Sequence, residues 1–246
     1  MMLMLSLLGF AVAEPTQFTP NSTNTLDKGD WSIGLFAPLR YGVTDKIELS
    51  VVHPGYVLTS PHLRMTIQHA DLGEWSVASR HQVGYPTPIL RQLARGGIGG
   101  ILPPDSIIPH TLVSKNDLYL GKSSDAGELT VSVGTSFAVE IGESNYSTID
   151  YAYAFRQTNL YQNNLMVSVG VGWEQSLTEK VGVRTWNKGF YFPTADENWV
   201  VESRDDVVFQ ISERSQALLG VNLSMAEYPW GTEWHAFPAM DWVWIW

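Results

Sequence analysis

The sequence lacks cysteine and long apolar runs, and it contains few charged residues. Without cysteine among its 246 residues, the chain forms no disulfide bond, no cysteine–metal site and no thiolate nucleophile. No stretch of about 18 consecutive apolar residues occurs, so no transmembrane helix is predicted. Charged residues make up 16% of the chain, whereas about 25% is typical of soluble domains. The net charge is −10 and basic clusters are missing, so no nucleic-acid partner is expected.

What the sequence does contain is a two-residue period that recurs along most of its length. Bulky apolar residues alternate with small or charged ones, which is typical of strands with two different faces. Stretches rich in glycine, asparagine, aspartate and serine separate these segments. The count predicts about twelve strands, within a range of ten to fourteen. The alternating segments are residues 31–41, 47–51, 63–68, 75–85, 112–120, 129–141, 149–155, 165–173, 181–185, 207–211, 219–225 and 240–246.

The two faces of these segments favour a membrane barrel over a soluble sandwich. One face carries almost no charge, and the other combines small residues with isolated charges. A basic residue at the bilayer centre costs about 2–4 kcal/mol, so we expect the apolar face to contact lipid. The predicted fold is therefore all-β, a closed antiparallel transmembrane β-barrel. The residues predicted to line its lumen are Arg40, Glu48, Arg64, Arg80, Glu140, Asp150, Arg156, Glu174 and Arg184.

Aromatic residues recur ten positions apart on the apolar face, as in the pairs 31/41, 75/85 and 199/209. Ten residues of strand cover about 34 Å, or about 26 Å of height at a tilt near 40°, which matches the apolar band of a membrane barrel. Tryptophan and tyrosine favour the two membrane interfaces. The predicted aromatic girdle consists of Trp31, Tyr41, Trp75, Tyr85, Trp199, Phe209, Trp242, Trp244 and Trp246.

The chain ends in MDWVWIW (240–246), with tryptophan at every second position. This ending resembles the terminal signature of bacterial outer-membrane β-barrels, except that Asp241 stands where glycine is common. YGVTDKIEL (41–49) is similar to a strand-turn-strand element of such proteins, and residues 85–110 resemble a segment of an uncharacterised family of porin-like barrels. The resemblance covers about residues 31–246. It implies the outer membrane of a Gram-negative cell, with outer-membrane lipids and the barrel assembly machinery as partners, and it carries over no functional residue.

The N-terminal residues suggest export. Residues 1–13 are apolar and end in the A-x-A pattern Ala11-Val12-Ala13, which predicts a signal peptide for the Sec pathway. The alternative is a buried N-terminal strand or helix. Residues 14–30 are predicted to be a polar N-terminal segment, and residues 31–246 the barrel.

One insertion, residues 86–110, interrupts the two-residue period. Pro88 suits the first position of a helix, and we predict a short helical insertion near 88–95. Arg91 and Arg95 lie one turn apart on it. One interpretation is a plug whose arginines face acidic residues of the lumen. The other is a helix that lies on the membrane interface or caps the barrel.

Several functions fit this pattern. The leading hypothesis is a passive pore or transporter for small solutes, and the second is a sealed structural or interaction barrel, since lumen charges of both signs can neutralise one another. Because both signs occur, no anion or cation preference is predicted. A third hypothesis is a lipid hydrolase, since some outer-membrane barrels use a Ser-His pair. The nearest candidates for it are His110 with Ser114, or His235 with Glu233. A soluble periplasmic β-protein is the fourth, and no catalytic residue, metal site or cofactor is assigned.

Overall fold

The computed structural model describes residues 23–52, 60–96, 100–124, 127–152 and 154–246. The predicted signal peptide and residues 14–22 lie outside the described residues. Within them, twelve strands form one closed barrel in which each strand pairs antiparallel with its neighbours in sequence and β1 pairs with β12. This confirms the predicted fold class. The strands are β1 (Trp31–Gly34), β2 (Leu39–Thr44), β3 (Ile47–Val51), β4 (His62–Leu72), β5 (Trp75–Gly84), β6 (His110–Ser124), β7 (Gly127–Ile141), β8 (Leu165–Ser176), β9 (Val181–Tyr191), β10 (Trp199–Ser212), β11 (Ser215–Tyr228) and β12 (Gly231–Ile245).

Two short helices accompany the strands: α1 (Thr87–Leu93) and α2 (Ala154–Asn163). No helix in the described part of the chain is long and apolar enough to cross a bilayer. Helix α1 matches the predicted helical insertion, where Pro88 occupies the first turn.

The wall has an exposed apolar row and a buried row of small and polar side chains. In β7 the odd positions from Val131 to Ile141 are exposed, while Thr130, Ser132 and Ser136 are buried. The closed ring pairs the backbone groups of neighbouring strands with one another, which removes the edges that an open sheet would present.

The two ends of the barrel differ in the length of their connections. One end, called the turn end here, carries both Trp31 and Trp246 and short turns at residues 45–46, 73–74, 177–180 and 213–214. The other, called the loop end, carries the long connections 85–109 and 142–164, which contain α1 and α2.

Residues 31–41 form two strands and not the single strand that their alternation predicts. The chain reverses at 35–38, where Pro38 has no N–H to donate to a ladder. Trp31 therefore pairs with Tyr41 on the adjacent strand, with ring centroids 4.4 Å apart. Their ten-residue spacing does not span the wall, and the prediction was wrong for this pair.

The strand predicted at 149–155 and the turn predicted after it were also wrong, because α2 occupies this region. The segment lies inside the mouth of the barrel, where no neighbouring strand pairs with it. A helix satisfies the backbone groups within the segment itself. Phe155 packs there against Tyr228, with ring centroids 4.8 Å apart. The turn missed at 35–38 divides one predicted strand into two, and the strand predicted at 149–155 does not form, so the total of twelve strands is unchanged.

Candidate lumen site

The loop end of the barrel is filled by an apolar cluster. Leu90 of α1 and Phe155 and Leu160 of α2 are buried in it, together with wall residues such as Phe190 and Val200. Burial of each large side chain contributes about 1.5–3 kcal/mol, so this cluster holds both helices against the wall. The helices therefore narrow this mouth of the lumen.

The turn end is narrowed by the chain that precedes β1. Leu26 is fully buried, and its backbone N–H donates to Glu48 Oε2 at 3.2 Å. Thr23 shares a hydroxyl hydrogen bond with Ser76 of β5. Residues 23–26 of the predicted polar segment thus lie inside the barrel, whereas residues 27–29 are exposed. The residues packed around Leu26 are Val208, Leu218, Val243 and Ile245.

Between these two narrowed ends lies a cavity of about 690 Å³, called the chamber here. Among the described residues, its lining draws on six strands, β4 to β6 and β9 to β11, and on both helices. Two of the ionisable side chains that line it, Asp117 and Glu202, are acidic. The six basic ones among the described residues are Arg64, Arg80, Lys115, Arg156, Lys188 and Arg204.

Ion pairs cross the chamber. Lys188 of β9 lies 2.6 Å from Asp117 of β6, although these strands are not adjacent. Arg156 of α2 lies 2.7 Å from Glu202 of β10 and so ties the helix to the wall. Such partly buried pairs are costly to break, because the remaining charge is left without compensation.

A second group of charges is centred on Asp206, whose side chain is fully buried. Arg184 approaches it to 2.7 Å from β9, and Arg204 approaches it to 2.8 Å from its own strand. The single negative charge of Asp206 is therefore shared by two arginines, so this group carries a net positive charge.

Two of the basic side chains in the chamber hydrogen-bond to neutral amides. Arg64 donates through Nε and Nη2 to Gln82 Oε1, at 3.1 and 3.0 Å. Lys115 Nζ donates to Gln157 Oε1 at 3.0 Å. An amide oxygen carries only a partial charge, so these hydrogen bonds are weaker than those to a carboxylate or phosphate. Arg64 and Lys115 therefore retain capacity to donate hydrogen bonds to an anion.

The structure distributes the predicted lumen residues over several places. Arg64, Arg80 and Arg156 meet in the chamber, where Arg80 donates to Tyr119 Oη at 3.0 Å and its guanidinium lies over that ring. Arg40 and Glu48 form a buried pair at 2.6 Å nearer the turn end.

The remaining predicted residues lie outside the chamber. Glu174 stands opposite Arg184 in the register of β8 and β9. Asp150, in the loop before α2, accepts a hydrogen bond from Thr148. Glu140 accepts one from Tyr146 Oη at 2.6 Å at the loop end, and burial together with this bond raises the pKa of Tyr146 well above its ordinary value.

The plug interpretation of α1 holds for its apolar residues and not for its arginines. Leu90 is buried in the cluster, whereas Arg91 and Arg95 are exposed. Arg91 Nη2 lies 3.5 Å from the carbonyl of Ile108 and from His110 Nε2, and not beside an acidic residue of the lumen. The burial of apolar side chains, and not ion pairing, positions the helix.

The two hydrolase candidates do not assemble. His110 stacks on Tyr85 and hydrogen-bonds to its hydroxyl, while Ser114 Oγ accepts a hydrogen bond from Asn116. His235 packs among aromatic rings, including those of Tyr151 and Tyr228. In the described part of the chain, no hydrogen bond joins either histidine to its proposed partner.

The aromatic residues predicted for the girdle lie near the ends of strands. Trp75 begins β5 and Tyr85 follows its last residue, so this pair does span the wall. Trp199 begins β10, and Phe209 lies near the other end of the same strand. Trp242 and Trp244 stack with centroids 6.0 Å apart near the turn end, where Trp246 is the last residue.

The sequence analysis did not identify several residues that line the chamber. Lys188 and Glu202 lie beyond the bounds predicted for two strands, at 181–185 and 207–211, which the structure extends to Val181–Tyr191 and Trp199–Ser212. Both continue the even-numbered inward row. Extending the even-numbered row along the chain beyond the predicted bounds of each strand would have identified both residues, together with Trp186 on β9 and Arg204 on β10.

Comparisons with known proteins give structural likeness without a family. No protein-family model and no curated protein matches the sequence. OmpT of Vibrio cholerae, an outer-membrane protein, has 7% identity and a TM-score of 0.47, over 85% of this chain and 64% of that one. The outer membrane channel DcaP of Acinetobacter baumannii has 11% identity and a TM-score of 0.37, over 85% and 60%. OccK11 of Pseudomonas aeruginosa has 12% identity and a TM-score of 0.41, over 87% of this chain and 57% of that one. The chain thus spans less than two thirds of the length of each of these proteins.

Proposed function

We propose that this protein is an outer-membrane barrel that conducts small anionic solutes through a narrow lumen, and that the lumen is closed in the conformation described here. The observation that carries the proposal is the chamber lining, with six basic and two acidic side chains among the described residues.

The membrane location is supported by the outer row of the wall. Leu63, Val83, Leu118, Val133 and Val169, from strands β4 to β8, are all exposed. A continuous apolar surface of this kind is a liability in water and a requirement in hydrocarbon. Membrane barrels usually place short turns on the periplasmic side and long loops outside, which puts the loop end outward.

The preference for anions follows from charge and solvation. A solute entering the chamber gives up part of its hydration, and fixed charges of opposite sign compensate for that loss. Arg64 and Lys115 are the best placed for this role because amides, and not carboxylates, are their hydrogen-bond partners. A carboxylate or phosphate group of the solute is a stronger acceptor for Arg64 and Lys115 than the amides of Gln82 and Gln157.

The closed state follows from the two ends and from the Lys188–Asp117 pair across the chamber. The same features favour the second candidate function, a sealed barrel that supports the envelope or binds a partner without conducting. The two candidates differ in one measurable property, which is ionic conductance.

The test is planar-bilayer recording of the full chain, with folding checked by the heat-dependent shift in gel mobility. We expect brief openings whose reversal potential in a KCl gradient indicates Cl⁻ over K⁺. The double variant Arg64→Gln/Lys115→Gln is expected to lose that selectivity. Arg91→Gln/Arg95→Gln removes the same charge from exposed positions on the α1 segment and is expected to keep it. Cation selectivity in the parent protein would refute the proposal, and silence of well-folded protein would favour the sealed barrel.

A further inference from the structure

A polar network lies on the outer wall of the barrel, apart from the lumen. Ser79 and His81 belong to the odd-numbered row of β5, which also contains the exposed Trp75 and Val83. The even-numbered Arg80 points the other way and lines the chamber. Ser79 stands near the middle of β5, so the network lies at mid-wall, where lipid chains contact a membrane barrel.

The hydrogen bonds of this network have a defined direction. Asn116 Nδ2 donates to Ser114 Oγ at 3.2 Å, which turns its Oδ1 toward His81 Nδ1 at 2.9 Å. An amide oxygen only accepts, so the His81 proton sits on Nδ1 and Nε2 keeps its lone pair. Ser79 Oγ lies 3.0 Å from that Nε2 and donates its proton to it.

A second histidine completes the arrangement. His69 Nε2 lies 2.7 Å from Ser79 Oγ, and since the serine proton is directed to His81, His69 is the donor in this bond. His69 occupies the extra position of a β-bulge, where the pairing with β5 shifts between Gln68 and Ala70. Bulges re-aim side chains in this way.

Placing these polar side chains on the apolar outer face destabilises the barrel, which suggests that they serve a function. Hydrogen-bonding groups in hydrocarbon cost free energy, and ionisable residues there mark functional sites by default. A serine bonded to the Nε2 of a histidine whose Nδ1 is held by an acceptor is the geometry of an activated nucleophile. Ser79 is only 8% exposed, and it lies between the exposed rings of His69 and His81.

We propose that Ser79, His81 and Asn116 form a serine hydrolase site on the outer wall, which cleaves acyl esters of membrane lipids. Leu118 pairs with Ser79 across the β5–β6 ladder, and both Leu118 and Val83 are exposed beside the network. An acyl chain lying along these side chains brings its ester to the serine from within the membrane. This inference goes beyond solute conduction and does not depend on the lumen.

The chemistry balances with water as the only other reactant. Ser79 Oγ gives its proton to His81 Nε2 and attacks the ester carbonyl carbon, and His69 Nε2–H donates to the negative charge that forms. The carbon–oxygen bond to the lipid alcohol breaks, and that oxygen takes the proton from His81. A water molecule then gives a proton to His81 and attacks the carbonyl carbon of the acyl-serine. The bond from that carbon to Ser79 Oγ breaks and Oγ takes the proton back from His81, which releases the fatty acid and restores both side chains. Asn116 is a positioning residue that keeps the His81 ring in register.

The experiment measures lauric acid release from mixed micelles of dilauroylphosphatidylcholine by the full chain, beside p-nitrophenyl butyrate as a soluble ester. Ser79→Ala and His81→Ala are expected to lower fatty-acid release at least about 1,000-fold. Asn116→Ala is expected to lower kcat about 10- to 100-fold with KM unchanged, and Asn116→Asp, which keeps an acceptor for His81, to restore it. Ser203→Ala removes a wall serine that donates to Asp205 and has no histidine partner, and it is expected to have no effect.

Labelling with a fluorophosphonate, followed by mass spectrometry, provides a second readout that does not need turnover. We expect modification of Ser79 in the parent protein and none in Ser79→Ala or His81→Ala. Release of lauric acid by Ser79→Ala, labelling of another serine, or an unlabelled and inactive parent protein would each overturn the proposal. Turnover of the soluble ester without the phospholipid would overturn the assignment of lipid as substrate.

Discussion

The indole of Trp186 lies against the backbone of Gly172, its direct partner across β8 and β9, so closely that a Cβ at position 172 would overlap the ring. Trp186 also stacks with Tyr119, at 6.3 Å between centroids, and both line the chamber. The absence of a side chain at 172 thus determines how far this indole extends into the lumen.

We expect Gly172→Ala to destabilise the barrel by about 1–3 kcal/mol, because the ring has to move out of a packed position. Gly189→Ala is the matched control, since the nearest atom to its Cβ is 4.0 Å away. Urea unfolding in detergent, followed by tryptophan fluorescence, compares the two. Equal stability of both variants would show that the ring moves aside freely.

The pair between Lys188 and Asp117 leads to a second prediction. Asp117→Asn leaves Lys188 partly buried without its carboxylate, which costs about 3–5 kcal/mol where a buried pair is broken. It also releases the contact across the chamber, so we expect more frequent openings in bilayer recordings. Glu74→Gln disrupts the exposed pair with Lys122 and is expected to change unfolding by less than about 1 kcal/mol. A closed, fully stable Asp117→Asn protein would contradict the assignment.

Leu26 provides a test of the closure at the turn end. Leu26→Asp places a carboxylate in an apolar cluster beside Glu48, where both desolvation and repulsion oppose it. We expect residues near 26 to leave the barrel while the strands remain paired. Protease cleavage close to residue 26, with an unchanged β signal in circular dichroism, would report this. Thr44→Asp alters an exposed residue near the same end and is expected to leave cleavage unchanged.

The loop end is tested through Phe155. Phe155→Ala empties a buried site between α2 and Tyr228, and substitutions of this kind cost about 3–5 kcal/mol. Because the strands do not depend on α2 for their ladders, we expect local loosening of the helix with little change in the heat-dependent gel shift. Hydrogen exchange over residues 154–163 measures it. Protection equal to that of the parent protein would show that the other contacts of α2, such as buried Leu160 and the Arg156–Glu202 pair, hold the helix without Phe155.

Alkaline pH should also weaken the loop end. Burial raises the pKa of Tyr161 on α2 to about 12, whereas a free tyrosine titrates near 10. The folded state therefore favours the neutral phenol. The contribution of Tyr161 to the free energy of unfolding is complete below about pH 10 and is lost as the pH rises toward 12. In Tyr161→Phe, hydrogen exchange of α2 should respond less to pH over this range, while Tyr151→Phe, at an exposed position, should respond like the parent protein.

Much of the barrel wall was predictable because its signal is local. Alternation in residues 129–141 identifies a strand and assigns its two faces, since adjacent side chains of a strand point in opposite directions. The same reasoning predicted Arg64 and Arg80 for the inward face, and both line the chamber. It failed at 35–38 and at 149–155, where alternation persists although the chain turns or enters the lumen.

The sequence by itself determined that this chain alternates an apolar row with a polar row and is all-β, because that pattern resides in contiguous residues. Only the tertiary structure decided that Lys188 meets Asp117, that α2 fills a mouth of the barrel, and that His69, Ser79, His81 and Asn116 share one network. These contacts depend on the register of each ladder and on one bulge in β4. A shift of two residues would keep every side chain on its face and still separate these partners, and a pattern that repeats every two residues does not encode that choice.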